Sequence, residues 1–219
     1  DARVAYVMTD GGALPSAFSR AVAGLATAGW LSATITVGQA FGGDHEAVTT
    51  HTGLLAARHV VAADVAVVVQ GPGNVGTGTR WGYSGVACAD VLHAAEVLGG
   101  RGIASLRVSG ADPRERHRGI SHHSRTAYGR ALLTPADVPV TALPDAALDA
   151  LVREQLADLV ADARAQLTPV EVSPGGLLEA LADSPVRLST MGRNLAEDPA
   201  PFLEAAAAGR HAAAISGRP

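Results

Sequence analysis

Apolar positions fall in short continuous runs separated by longer amphipathic segments, and over the first two thirds of the chain this reads as strand then helix, repeated. Val4 to Met8 is an apolar run closed by the turn Thr9-Asp10-Gly11-Gly12, after which Pro15 opens a helical pattern to about Ala28. Ala33 to Val37, rich in β-branched residues, predicts a second strand, followed by a loop from Gly38 to Asp44 and a helix from about Glu46 to Ala62. Val65 to Val69 is apolar throughout, as a parallel strand covered on both faces would be, and runs into a glycine-rich stretch from Gly71 to Gly85 and a helix to about Leu98. Ile103 to Val108 predicts a fourth strand, Ser109 to Ser124 a polar loop, the residues to about Leu133 a helix, and Val138 to Thr141 a fifth strand.

This alternation implies an α/β fold with a doubly wound, mainly parallel sheet of about five strands. From Ala146 the pattern turns helical, with Leu148, Leu151, Val152, Leu156, Leu159 and Val160 on one apolar face. Two more helices are expected around Leu177 to Ala182 and Pro201 to Ala214, separated by Arg187 to Arg193. The chain therefore reads as an α/β core, residues 1–145, and a C-terminal helical part, residues 146–219, packed on that core and not independent.

Composition narrows the function classes. No apolar run approaches the roughly 20 residues that span a bilayer, so a soluble protein with no membrane partner is expected. Cys88 is the one cysteine, which rules out an internal disulfide and a cysteine-built metal site within one chain and makes the reducing cytoplasm the natural location. A formal net charge of −4 argues against a nucleic-acid partner. The 17 basic residues are all arginine, which excludes a lysine Schiff base and the lysine of a Walker phosphate loop; the abundant alanine makes coding bias the plain explanation. The chain starts at Asp1 without methionine or a charged-then-apolar leader, as expected of a processed or truncated product.

In open parallel sheets, ligands occupy the crevice outside the carboxyl ends of the strands, and four unusual loops are expected there. The first holds Asp10, Gly11 and Gly12; the second holds Gly42, Gly43 and Asp44 beside His45 and Glu46. The third holds Gly71, Gly73, Asn74, Gly76, Thr77, Gly78, Thr79 and Arg80, where missing side chains would let backbone N–H groups turn toward a phosphate or carboxylate. Its Gly71-x-Gly73-x-x-Gly76 spacing follows the third predicted strand, and no acidic residue ends the next one, so a dinucleotide site is disfavoured against a tight glycine bend. The fourth carries Arg107, Arg114, Arg116, Arg118 and Arg125 with His117, His122 and His123. Arginine forks suit bidentate anion binding, so Arg114 and Arg116 would clamp what the third loop cradles, with His123 beside them; the alternative is a solvated face laced with ion pairs.

For catalysis, His122 or His117 would exchange protons and Asp10 would orient a histidine or hold a metal. His122 and His123 precede a helix, so their rings are expected to point apart, with at most one joining a given site, and Ser121 reads as its N-cap. Asp10, Asp44, His45, Glu46, His51, His117, His122 and His123 together offer enough ligands for a metal, but their spacing matches no metalloprotease motif, and metal and cofactor stay unassigned. His59, His93 and His211 read as ordinary helix residues, Cys88 as core, and Gly82-Tyr83-Ser84-Gly85 lacks the nucleophile-elbow spacing.

The stretches Tyr6 to Pro15, Thr36 to Asp44, Gln70 to Gly85, Asp112 to Ser124 and Arg187 to Arg193 resemble a bacterial family, domain of unknown function 3866, over about Val4 to His211. The resemblance implies kinship and no chemistry. It also implies leucine as the common residue at the place of His45, which counts against His45 as a ligand. The expectation from the residues is an enzyme binding a phosphorylated or carboxylated small molecule at the strand ends. The alternatives are a non-catalytic ligand-sensing or assembly module, compatible with a homo-oligomer, and a divalent-metal-dependent hydrolase.

Overall fold

The computed structural model describes residues 2–12, 14–71 and 73–217; Ala13 of the first turn and Pro72 of the glycine-rich stretch lie outside the described residues. Val4–Thr9 forms β1, and its buried residues feed two apolar clusters, Ala5 and Val7 into one, Tyr6 and Met8 into another. Successive side chains of a strand point to opposite faces, so both faces of this strand are covered. After a single 3-10 turn, Ser19 caps α1 (Arg20–Thr27) by accepting from the Val22 amide, and Ala33–Val37 forms β2.

The next segment departs from the expected helix start at Glu46. His45–Ala47 is a short strand, β3, parallel to β2, because the Asp44 carboxylate accepts from the Thr34 amide at 2.8 Å and its hydroxyl at 2.9 Å and lays the chain beside β2. The helix α2 (Thr50–His59) begins only where Thr49 and Thr52 close a reciprocal capping box. Val65–Gln70 is β4, and the four parallel strands stand in the order β3-β2-β1-β4. The expectation that Val65 to Val69 is covered on both faces fails: Val67 and Val69, which share one face of β4, are exposed, and β4 is also an edge of the sheet.

A 3-10 turn leads into α3 (Cys88–Val97). The predicted fourth strand, Ile103 to Val108, does not join the sheet. Ile103 makes a single parallel bridge with Asp137, Ala104 N–H donating to Asp137 O at 2.8 Å, and Arg107 N–H donates to Ser124 Oγ at 2.9 Å, so its backbone finds partners away from the four-stranded sheet; Val108–Ser109 (β5) pairs, antiparallel, with Gly119–Ile120 (β6). From Ser121 run α4 (His122–Thr126) and directly a π-helical turn, Ala127–Ala131. Ala136–Thr141 is β7, buried throughout. Asp145 caps α5 (Ala146–Asp162), which returns the chain to β8 (Leu167–Val172), parallel to β7. The sequence conceals β8, because Pro169 demotes the run; in a two-stranded pair every strand is an edge and tolerates it.

The remainder is α6 (Leu177–Ala182), a hairpin of β9 (Ser189–Thr190) and β10 (Arg193–Asn194), and α7 (Ala200–Ile215). The largest apolar cluster runs from Ala89 to Ala207 and draws on α3, β7, α5 and α7. His211, expected to be an ordinary helix residue, ties α7 to β7 through Asp137 at 2.6 Å, with the Arg101 fork on the same carboxylate at 2.7 and 3.0 Å. The chain is thus a mixed α/β protein with a four-stranded parallel sheet, a separate parallel pair in place of one sheet of about five, and seven α-helices among the described residues. No helix among those residues is long and apolar enough to cross a membrane.

Candidate functional site

Two antiparallel segments set the site. The hairpin of β5 and β6 turns through a 3-10 helix, Glu115–His117, and delivers His117 inward, where it is 2% exposed. Ser121 then opens α4, its hydroxyl accepting from the His123 amide at 3.2 Å and lying 2.7 Å from His117 Nδ1. His117 is thereby brought against both histidines that begin α4. Ring centroids stand 4.9 Å apart for His117 and His122, 5.0 Å for His117 and His123, and 4.3 Å for His122 and His123.

The two rings therefore do not point apart as expected, although only His122 lines the arginine cavity described below. The reason lies outside the helix: the Tyr83 ring stacks on His123 and its hydroxyl donates to His123 O at 2.6 Å, holding that ring back over His117 and His122. One nitrogen from each of the three rings lies within 4.8 Å of the others. His122 Nε2 and His123 Nδ1 are buried without a hydrogen-bond partner. Burial holds His117 and His123 down to about 4, with Arg114 and Arg107 adding to it at both. Burial lowers His122 as well, reinforced by Arg116, Arg114 and Arg107. All three imidazoles are neutral at neutral pH, with lone pairs rather than charges to offer.

The arginines near them divide into two groups. Arg114 grips the buried Asp112 with both arms, Nε at 2.9 Å and Nη2 at 2.8 Å, and Arg193 and Arg107 reach the same carboxylate at 3.6 and 4.0 Å. The Arg114 fork holds Asp112 well below the usual carboxylate range. Asp198, at the start of α7, accepts from Ser109 Oγ at 2.5 Å and from Arg193 Nε at 3.3 Å, which ties the hairpin to the helix behind it. Arg114, expected to clamp a ligand, has its fork taken up by the buried Asp112 and does not line the cavity described next.

Arg116 instead belongs to a cavity of about 470 Å3. Arg80 and Gly78 from the glycine-rich stretch, Arg125 from α4, and Gly129 and Arg130 from the π-helical turn line it, with His122 in its wall. Asp158 and Asp162 of α5 face the arginines, Asp158 lying 3.5 Å from Arg125. Four cations against two anions leave a positive surplus. A π-helical turn is a common mark of a functional site; here it carries two of the lining residues. A larger opening of about 850 Å3 beside α6, lined by Leu178, Leu181, Val186 and Leu195, is apolar and contains none of the residues expected to act.

The other residues singled out from the sequence are placed apart from this cavity or inside the glycine-rich hairpin. Asp10 sits at the end of β1, accepting from the Gln39 amide at 3.2 Å, and Gly11 packs on the Gln70 side chain. The turn Gly11-Gly12 lies beside them. Gly42 N–H donates to Glu46, Gly43 closes on the Thr36 backbone, and Asp44 binds Thr34, so these three dock β3. In the third stretch, Gly71 packs against Met8, and Gly73 O accepts from Gln70 Nε2 at 2.9 Å. Gly76 pairs with Tyr83, Thr77 N–H donates to Gly82 O at 2.6 Å, and the Thr77 and Thr79 hydroxyls bond each other at 2.8 Å. Asn74 lies against Gly85. The glycines chiefly close a tight hairpin, and what reaches the cavity is its tip, Gly78 and Arg80. Sequence reasoning passed over Tyr83, Arg130, Asp158, Asp162, Arg193 and Asp198; the four-residue spacing of Asp158 and Asp162 on one helix face is the one local signal that could have marked two of them.

The model of the family described as protein of unknown function (DUF3866) matches residues 1–209 of the 219. The chain belongs to that family. The histidine cluster, the Asp112 ion-pair network and the arginine-lined cavity of this DUF3866 chain all lie inside the matched region. No curated protein and no solved structure matches the chain.

Proposed function

We propose that this DUF3866 chain is an enzyme whose substrate is a small molecule bearing a phosphate or carboxylate group, bound in the cavity beside the histidines. The observation that carries the reading is the convergence of Arg80, Arg116, Arg125 and Arg130, from three separate stretches of chain, around a space of about 470 Å3 with His122 in its wall. That volume suits a metabolite-sized ligand. Arginine forks bind phosphate or carboxylate oxygens two at a time, and Asp158, 3.5 Å from Arg125, offsets only part of their charge. A neutral imidazole beside the bound anion supplies a basic nitrogen, which an adhesive or purely structural surface has no need to bury.

The test is a thermal-shift and calorimetric screen with inorganic phosphate, sugar phosphates, nucleotides and carboxylates. A ligand at about 100 times its dissociation constant adds roughly 2.7 kcal/mol of stability. The expected result is a phosphate- or carboxylate-bearing ligand that stabilises the chain and loses its effect in Arg116→Ala and Arg130→Ala. Anion binding that survives both substitutions would place the ligand elsewhere and overturn the reading.

A further inference from the structure

We propose that His117, His122 and His123 form a three-histidine centre for a divalent transition metal at the edge of the arginine cavity. The inference deepens the reading above, because the cavity supplies the anion that completes the coordination.

Three observations carry it. The first is geometric: one nitrogen from each ring lies within 4.8 Å of the other two. In a tetrahedral site with metal–nitrogen bonds near 2.0–2.1 Å the nitrogens stand about 3.4 Å apart, so modest ring rotation closes the triangle. The second is the state of the nitrogens. His122 Nε2 and His123 Nδ1 are shielded from solvent and bond nothing, which is costly for two polar atoms in one small space unless something else meets them. The third is the support behind the ligands. His117 Nδ1 is held by Ser121 Oγ at 2.7 Å, which leaves Nε2 as its free nitrogen. His123 is stacked on Tyr83 with centroids 4.0 Å apart. The His117–Ser121 bond is of the kind that orients ligating histidines, the ring nitrogen opposite the metal bonded to a fixed partner, and the stack fixes the plane of His123.

The chemistry of the donor set selects the ion. Three imidazole donors with no thiolate and no carboxylate suit zinc, cobalt, iron, nickel or copper rather than magnesium or calcium. Asp112 is close by but engaged by Arg114, and so does not compete for the metal. The surrounding arginines, Arg107, Arg114 and Arg116, oppose a bare dication. They therefore favour an anionic fourth ligand, and His122 is the histidine that faces the cavity where such an anion binds. A phosphate or carboxylate oxygen, or hydroxide formed by loss of a proton from a water that the metal would acidify, would complete the site.

The experiment uses the full chain without a polyhistidine tag, stripped by chelator, dialysed and titrated with Co2+. The expected result is one cobalt per chain by elemental analysis after desalting, with the intense visible bands of four- or five-coordinate cobalt. His123→Ala and His122→Asn should each weaken cobalt binding by about 100-fold, and Ser121→Ala by about 10- to 100-fold, with Ser121→Thr restoring it. His59→Ala, on the exposed face of α2, should leave binding unchanged. Circular dichroism separates lost binding from lost fold, and the stoichiometry of the unmodified chain requires no variant.

Absence of stoichiometric cobalt in the unmodified chain overturns the centre, as does cobalt retained by both histidine variants. The same stripped protein is tested with inorganic phosphate. Phosphate that binds through Arg116 while cobalt does not leaves the cavity reading standing and sinks the metal. Cobalt that binds while phosphate does not bind through Arg116 supports the centre and sinks the cavity reading.

Discussion

Tyr83 and His123 lie face to face, their ring planes 13° apart, and the Tyr83 hydroxyl donates to the carbonyl oxygen of the residue it stacks on, at 2.6 Å. One side chain of the glycine-rich stretch thus fixes both the ring and the backbone of a histidine forty residues on. Tyr83→Phe keeps the stack and removes the bond. It should cost about 0.5–1.5 kcal/mol in urea unfolding, whereas Tyr83→Ala should cost about 3–5 kcal/mol. Equal costs for the two would show that the stack contributes nothing.

Asp112 is the hub on which Arg114, Arg107 and Arg193 converge. Asp112→Asn leaves those guanidinium groups facing a neutral amide and should destabilise by about 3–5 kcal/mol. The Arg114 fork depresses this carboxyl in the folded chain, so its stabilising effect is present above the ordinary aspartate value of 3.8 and is lost as pH falls through the lower folded value. Acid unfolding followed by circular dichroism should accordingly be less steep below 3.8 in the variant. An unchanged acid limb would mean that other carboxylates dominate it.

Glu204 on α7 is fully enclosed, and no well-formed hydrogen bond reaches either of its oxygens. Burial pushes its carboxyl up to about 7 from 4.5, with the nearby Thr141 backbone N–H pulling the other way. The folded chain therefore holds this proton more tightly than the unfolded one. The stability it contributes is complete below 4.5 and is lost as pH rises through about 7. Glu204→Gln should gain on the wild type by something on the order of 3 kcal/mol between acid and mildly alkaline solution. Parallel stability curves for the two proteins would place the titration elsewhere.

Gly38, at the carboxyl end of β2, has φ of +65°, and a Cβ there would stand 2.3 Å from Asp10 Oδ2. Gly38→Ala meets backbone strain and a displaced carboxylate together, and should cost about 2 kcal/mol or more. Gly29 also has a positive φ, +77°, but open space around its Cβ direction, so Gly29→Ala should cost only about 1–2 kcal/mol. Thermal denaturation of the two variants separates strain alone from strain with collision.

What the sequence determined by itself is mostly local. The alternation of β-branched runs with amphipathic segments located β1, β2, β4, α5, α6 and α7 to within a few residues, and Ser121 declared the start of α4. The stretch from Arg107 to Arg125 also announced its arginines and histidines, since residue type is visible without a structure. Periodicity and capping act within about ten residues, so they survive in the sequence pattern.

The tertiary structure decided everything that depends on a distant partner. Val65 to Gln70 became an edge because Ile103 to Val108 found its hydrogen bonds at Asp137 and Ser124 rather than beside β4. Arg114 is held by Asp112 and does not line the cavity, whereas Arg130 does because the π-helical turn carries it there. His117, His122 and His123 became one cluster through Tyr83 and Ser121, contacts that no spacing along the chain encodes. Strand pairing, ring orientation and burial are set by groups many residues apart, and for those the local pattern carries no information.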